Sequence, residues 1–260
     1  MGWLLLMLAL AAAAPWLGLH SPDESDPLAA LSLPHAEHWL GADSLGRDTL
    51  ARLIYGTRVS LTVALGSVTI GLAGGGLLGL LAGFFAGRLD RLLMGAMTVM
   101  LCFPGIILAI ALVSSLGPSL ANVTLSIGVI FIPAFARIAR ANTLSLRQRE
   151  FVLAARLIGT RVPRIMAREI LPNLVPALLS YAVVMLGVAI LAEAALGFLG
   201  LSVRPPQPSW GGMIASERGN LVEAPQAVFI PALWMFATVL AINWIGESVR
   251  RLFDIKAQAL

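Results

Sequence analysis

The stretch EFVLAARLIGTRVPRIMAREILPN, residues 150–173, holds two carboxylates and four arginines between two long apolar segments. Those neighbouring segments cover about 119–139 and 174–202, and further apolar segments occupy about 2–20, 60–86, 92–116 and 226–246. About 20 apolar residues in a helix cross the roughly 30 Å hydrocarbon layer of a bilayer at about 1.5 Å per residue. The sequence therefore predicts an all-α membrane protein with six transmembrane helices.

The composition excludes an ordinary soluble domain. Of the 260 residues, 58% are hydrophobic and 12% are charged, and the mean hydropathy is +0.87. Soluble domains carry about 25% charged residues, so half of the expected charge is missing. Cys102 is the only cysteine, which excludes an intrachain disulfide and a thiolate metal site.

The basic residues follow the positive-inside rule. With a cytoplasmic N-terminus, 5 of the 18 basic residues fall in outer loops and the other 13 in inner segments. Three of the inner ones, Arg250, Arg251 and Lys256, lie near the C-terminus. We therefore predict an N-in/C-in topology, and we interpret the pI near 10.2 as a consequence of topology and not of nucleic-acid binding.

We predict three parts of the chain. Residues 1–58 hold the first transmembrane helix and an external loop, and apolar residues near helical spacing at the end of this loop predict an outer amphipathic helix. Residues 59–250 form a core of five transmembrane helices with a cytoplasmic loop at 145–173, and residues 251–260 form a cytoplasmic tail. A signal peptide is the alternative for residues 1–20, but no basic residue precedes the apolar run, which favours a retained helix.

Small residues recur at every fourth position of the second apolar segment, starting at Ser67. Such a ridge lets two helix backbones approach closely within a bilayer, so we expect a tightly packed helix pair, with a sliding or gating role as the alternative. The glycines of the predicted ridge are Gly71, Gly75, Gly79, Gly83 and Gly87.

The charged stretch at 150–173 is predicted to form a helix that ends at Gly159, because glycine commonly supplies the left-handed residue after a helix. Ala154, Ala155 and Gly159 leave one side smooth, and Glu150, Arg156, Arg161 and Arg164 surround it. Two interpretations follow from the residues alone. The projecting segment docks in a groove on a soluble partner, or its arginines face anionic lipid headgroups.

The same stretch resembles the EAA loop of ABC-importer membrane subunits. The matching pattern is E-x3-A-A-x3-G followed by I-x6-P-N, which places Pro172 and Asn173 at its end. In that family the loop is a coupling helix that inserts into a cleft of the ATPase subunit. The resemblance therefore favours the docking interpretation and implies a coupling role for the following residues: Glu150, Ala154, Ala155, Gly159, Arg161, Arg164, Pro172 and Asn173.

Two outer stretches resemble C-type permeases of the dipeptide, oligopeptide and nickel group. HWLGADSLGRDTLAR at 38–52 is similar to that group's outer signature, and AEAALGFLGLSVRPPQPSWGGMI at 192–214 is similar to its last outer loop. The signature residues are His38, Gly41, Asp43, Gly46, Arg47 and Asp48. The candidate residues of the last loop are Glu193, Pro205, Pro206, Trp210 and Gly211.

The resemblance implies a type I ABC-importer permease fold in the bacterial cytoplasmic (inner) membrane. It implies a second homologous permease as heterodimer partner, two cytoplasmic ATPase subunits, and an extracytoplasmic substrate-binding protein. No G-x-x-x-x-G-K-[ST] motif occurs in the chain, so ATP and Mg²⁺ are expected on the partner ATPases, and no cofactor is expected on this chain. The chain is then a transport subunit and not an enzyme.

Glu193 is a carboxylate placed well inside an apolar segment, and such an acid is a candidate for a proton relay or for contact with a cationic substrate. The alternative is a carboxylate that backbone amides or an outer-loop arginine satisfy. His35 and His38, with His20 on the same predicted side, are weak candidates for a metal-entry site, and surface histidines are the favoured interpretation.

The sequence favours an importer of di- or oligopeptides, and the same architecture carrying nickel, a metal chelate or an opine is the alternative. Two other functions remain as distant alternatives. One is a proton-coupled carrier that uses Glu193, and the other is a membrane scaffold that does not transport.

Overall fold

The computed structural model describes the backbone of residues 2–258 and the side chains of residues 2–248. The side chains of Arg250, Arg251 and Lys256 therefore lie outside the described part. Helices joined by loops make up the fold, with an isolated antiparallel bridge between Ala42 and Asp48. The α-helices are α1 Gly2–Ala13, α2 Thr49–Phe85, α3 Gly87–Leu101, α4 Gly105–Leu116, α5 Leu120–Leu146, α6 Glu150–Leu157, α7 Val162–Ile165, α8 Leu171–Phe198, α9 Trp210–Glu217 and α10 Pro225–Gln258. The predicted all-α class is confirmed.

Four helices of the described chain are long and apolar enough to cross a membrane. They are α2, α5, the continuous helix Val162–Phe198 and the part of α10 from Pro225 to Ser248. α3 and α4 meet at 87° and together make a fifth candidate span, whereas α1 with the turn that follows it, Gly2–Trp16, is shorter. The prediction of six spans and of the N-in/C-in topology therefore stays a prediction.

The bend between α3 and α4 has a local cause. Cys102 and Phe103 follow α3 directly, and Pro104 precedes α4. Proline disfavours helical geometry in the residue before it and offers no backbone N–H, so a helix ends at this point. The apolar segment predicted at about 92–116 therefore consists of two helices joined at a bend.

The contacts of the chain divide it into two units. The first consists of the chain up to Leu65 together with Ile110–Thr124 and Leu186–Ile245, and the second consists of Gly66–Ala109, Leu125–Met185 and the chain from Gly246.

In the first unit, α1 packs against α10. The Trp3 and Trp234 rings meet edge to face with centroids 4.9 Å apart, and Trp3 Nε1 donates to Thr238 Oγ1 at 3.3 Å. Arg58 Nε donates to Ala11 O at 2.7 Å, so a cation of α2 satisfies a carbonyl in the last turn of α1.

The predicted outer amphipathic helix is not a separate element, which corrects that expectation. Residues from Thr49 onward belong to α2, which runs without a break to Phe85. Ala51, Leu53 and Thr57 are all buried within the protein. An amphipathic helix that lies at a membrane interface has one exposed face, whereas this segment of α2 packs against the protein on most of its sides.

In the second unit, the glycines of α2 lie against α5. A Cβ added at Gly71 meets Phe131 Cβ at 2.7 Å, and one added at Gly83 meets Thr143 Cβ at 2.7 Å. Gly75 and Gly79 likewise approach backbone atoms of α5. Gly87 does not extend this ridge, because α2 ends at Phe85 and Gly87 begins α3 with a positive φ of 64°.

Candidate functional site

The predicted coupling segment forms α6 followed by the turn at Gly159. Glu150 lies in the first turn of α6 and Arg156 in its last turn, a distribution that complements the helix dipole. Val152 and Ala155 are buried and anchor the helix. Gly159 has a φ of 79°, the left-handed geometry that its place after a helix predicts.

The outward face of this segment is apolar as well as basic. Leu157 is 88% exposed and Ile158 is 82% exposed. Arg161 and Arg164 are also exposed, and so is Ala154, whereas Ala155 points into the protein. The smooth face predicted from both alanines therefore contains only the first of them.

After the turn at Gly159, α7 continues into α8. A π-helical turn, Met166–Ile170, joins them, with Leu171 N donating to Met166 O. Pro172 comes directly after this turn. It has no backbone N–H to donate, and its ring would clash with the carbonyl four residues earlier in a regular α-helix, which explains the widened turn. Asn173 Nδ2 donates to Glu169 O at 2.7 Å across this turn.

The outer signature folds into a charged cluster before and within the first turn of α2. His38 Nδ1 lies 2.9 Å from Asp48 Oδ2, and Asp48 Oδ1 accepts from Ala51 N at 2.6 Å, which caps α2. Asp43 Oδ2 accepts from Arg47 Nε at 2.7 Å.

Backbone geometry makes this cluster possible. Gly41 and Gly46 have φ values of 75° and 73°, and a Cβ at either position collides with a backbone carbonyl oxygen of the preceding loop. These glycines therefore let the outer loop fold back on the start of α2.

Glu217 is a buried acid that the sequence reasoning missed. Its Oε1 accepts from Ser44 Oγ at 2.9 Å, and its Oε2 accepts from Ser44 N at 3.2 Å and from Asn220 Nδ2 at 3.0 Å. Ser44 lies within the outer signature, so this carboxylate ties the signature to α9. Ser44 and Glu217 are 173 positions apart in sequence, so no local pattern could predict their contact.

Glu193 lies in α8 and is fully buried. Its Oε2 accepts from Ser60 Oγ at 3.3 Å and its Oε1 accepts from Ser202 Oγ at 2.5 Å. Serine hydroxyls thus satisfy the acid, where the sequence suggested backbone amides or an arginine.

The last outer loop is anchored beside this carboxylate. Trp210 is fully buried, its Nε1 donates to Leu53 O at 3.2 Å, and its backbone N donates to Ser60 Oγ at 3.3 Å. Gly211 lies directly against the backbone of Ala194. Pro205 lines a cavity of about 530 Å³ in this loop, and its neighbour Pro206 is exposed.

The three histidines lie closer together than their sequence positions indicate. The ring centroids of His20 and His35 are each 5.2 Å from that of His38. Among the residues that the structure describes, however, no group of three or more potential ligands could hold a metal ion.

These elements define a multi-pass, all-helical membrane protein with the fold of a type I ABC-importer permease. The fold is shared with the MetNI methionine ABC transporter in inward-facing conformations, with a TM-score of 0.65 and 19% identity over 77% of this chain and 95% of that one. An amino acid ABC transporter crystallised with histidines gives a TM-score of 0.58 at 15% identity, over 78% of this chain and 94% of that one. The chain belongs to the family of binding-protein-dependent transport system inner membrane components, whose family model matches residues 75–257.

Curated relatives cover most of the chain. The glutathione transport system permease protein GsiD of Pectobacterium atrosepticum is 42% identical over 87% of this chain and 75% of its own length. The dipeptide transport system permease protein DppC of Alkalihalophilus pseudofirmus is 41% identical over 96% and 82%, respectively. The di/tripeptide transport system permease protein DppC of Pseudomonas aeruginosa is 42% identical over 98% and 86%. The resemblance inferred from the motifs is confirmed, and the chain is a transport subunit of the inner membrane.

Proposed function

We propose that this chain is the permease subunit of an ATP-driven importer for short peptides, including di- and tripeptides and glutathione-like solutes. It pairs with a second homologous permease, and a substrate-binding protein delivers the cargo to the outer loops. Two separate ATPase subunits bind ATP and Mg²⁺ and dock on the coupling segment. The proposal includes the three predicted parts of the chain: residues 1–58, the permease core 59–250 with its coupling loop at 145–173, and the tail 251–260.

The exposed face of the coupling segment carries the docking part of the proposal. Leu157 and Ile158 are 88% and 82% exposed at the end of a helix whose inner face is buried. Apolar side chains of this size contribute most when a partner covers them, and exposed arginines at Arg161 and Arg164 suit a polar rim around such a contact. This combination supports a protein partner over lipid headgroups.

Peptide cargo is favoured by the relatives that the chain resembles over nearly its whole length. The names of these relatives specify dipeptides, di- and tripeptides, and glutathione. All three cargoes are short peptides, so one permease architecture serves cargo of that class. Native mass spectrometry of the importer's substrate-binding protein, purified without denaturation, tests the assignment because it identifies the cargo that this protein carries. Peptide masses support the proposal, and a metal or metal-chelate mass contradicts it.

Substitution of Gly159 tests docking. We expect Gly159→Arg to abolish the stimulation of ATP hydrolysis by loaded binding protein in the reconstituted importer. An added Cβ at Gly159 meets nothing within 4 Å, so the arginine extends into the space that the ATPase is proposed to occupy.

Gly159→Ala is the matched control. Like the arginine variant, it places a residue with a side chain in the left-handed conformation, but it adds only a methyl group. A left-handed alanine costs roughly 1–2 kcal/mol, which strains the turn without filling the docking face. We expect this variant to retain most of the stimulation. Equal loss in both variants assigns the effect to the turn, and full stimulation in the arginine variant refutes docking at this face.

A further inference from the structure

Two arginines on either side of the start of the coupling segment converge on one residue of α2. Arg147 Nη1 donates to Phe84 O at 3.2 Å. The Arg156 Cζ atom lies 5.2 Å from the centroid of the Phe84 ring. Arg147 follows α5, and Arg156 lies in the last turn of α6. The coupling helix therefore touches the end of α2 directly.

Both contacts are chemically matched. A guanidinium above an aromatic face is attracted by the negative potential of the ring. The carbonyl of Phe84 lies in the last turn of α2, where carbonyls lack intrahelical partners and a cation is favourable. Phe84 is only 7% exposed, so its ring is held by the protein, whereas Arg156 reaches it from an exposed position.

The corner between α2 and α3, residues 84–90, is held firmly to α5. Asp90 accepts two hydrogen bonds from Arg140 of α5, one of them from Nη2 at 2.6 Å. Ala86 has φ 53° and ψ −160°, a region that is nearly restricted to glycine and that persists only where surrounding contacts enforce it. A displacement applied at Phe84 therefore moves this corner together with the end of α5.

We propose that Arg156 and Phe84 are positioning residues that carry the movement of α6 to the α2–α3 corner. The inference rests on the proposed function, in which an ATPase moves α6, and it adds the path inside this chain. A link of this kind passes force through one ring face, so it depends on the aromatic character at position 84 and on the charge at position 156.

The test uses the complete importer in lipid nanodiscs, with both permeases, the ATPases and the binding protein. The measured quantity is the ratio of ATP hydrolysis with loaded binding protein to hydrolysis without it. A cation–π contact at an exposed site corresponds to about a two- to fivefold effect. We expect Arg156→Gln and Phe84→Leu each to lower the ratio by that factor, and the double variant to lower it no further.

Three further variants separate this role from simple packing. Phe84→Trp keeps a stronger π face and should keep the ratio near that of the wild type. Arg168→Gln removes another exposed arginine of the same loop and should leave the ratio unchanged. If Phe84→Leu unfolds in a thermal melt, Arg156→Gln and Phe84→Trp still decide the question, because both keep an aromatic ring at position 84.

The outcomes are distinct. An unchanged ratio in Arg156→Gln, or losses that multiply in the double variant, overturns the link. If Gly159→Arg still abolishes stimulation in that case, docking on the ATPase stands and only the internal path is wrong. If Gly159→Arg also leaves stimulation intact, docking of the ATPase at this face is refuted, and with it the part of the proposed function on which the link rests.

Discussion

The glycine ridge of α2 makes a quantitative prediction through Gly79→Ala. The new Cβ meets Ala139 Cβ at 2.5 Å and Arg140 N at 2.9 Å, and it also collides with a backbone carbonyl oxygen of α5. Ordinary contacts of this kind lie near 3.5–4.0 Å, so α2 and α5 must separate by about 1 Å. Backbone atoms cannot rotate away as a side chain does. Overpacking of this type costs about 1–3 kcal/mol.

Gly95→Ala is the matched control, because Gly95 lies within α3 and an added Cβ there meets nothing within 4 Å. Both substitutions gain the same helix propensity, about 1 kcal/mol, so the difference between the two variants isolates the clash. For a chain of this size we expect Gly79→Ala to melt about 2–12 °C below Gly95→Ala.

The assay is thermal unfolding of the detergent-solubilised protein, followed by far-ultraviolet circular dichroism. Equal melting temperatures for the two alanine variants would show that α2 and α5 are not in contact along this ridge, and the packing argument would be refuted. A lower melting temperature for Gly95→Ala would contradict it as well, because that site offers open space.

Three other substitutions give further expected outcomes. Ala86→Gly should raise the free energy of unfolding by about 1 kcal/mol, since it relieves a strained φ of 53°, and an unchanged melt contradicts the strain. Trp210→Phe should cost about 1–3 kcal/mol in the same melt, because it removes the hydrogen bond to Leu53 O and some buried volume. Glu193→Gln should keep ATP-driven peptide uptake in proteoliposomes near the wild-type rate, because hydroxyl partners can rotate to accommodate an amide, whereas loss of uptake supports a proton relay.

The apolar segments were predictable because a transmembrane helix is a local property of about 20 consecutive residues. The left-handed Gly159 was predictable for a similar reason, since a helix end depends on its own few residues. The break at Pro104 also had a local signal, and the apolar run around it concealed that signal. The helix start near Thr49 had a local signal too, because apolar residues recur at helical spacing after it and Asp48 is a typical capping residue. The burial of this segment had none, because Arg52 in its first turn donates to the carbonyl of Pro22, 30 residues away in sequence.

The hydrogen-bond partners of the candidate site residues could not be predicted from the sequence, because they lie far away along the chain. Ser60 and Glu193 are separated by 133 residues, and no periodicity connects a hydroxyl on one helix with a carboxylate on another. Phe84 was overlooked because an aromatic residue at the end of an apolar helix is ordinary on its own. Its contacts with Arg147 and Arg156 become visible only when the chain is folded.

The buried acids of the first unit indicate what the outer signature does. Asp43, Asp48, Glu193 and Glu217 each accept hydrogen bonds from groups of this same chain. A buried carboxylate whose oxygens already accept hydrogen bonds from the protein is poorly suited to bind a passing solute. If the solute replaced one of these donors, the displaced protein group would lose its partner, at a cost of about 1–3 kcal/mol. We therefore infer that these residues build the outer scaffold and that cargo selection lies elsewhere. This arrangement agrees with a family in which permeases named for glutathione and for dipeptides both match nearly the whole chain.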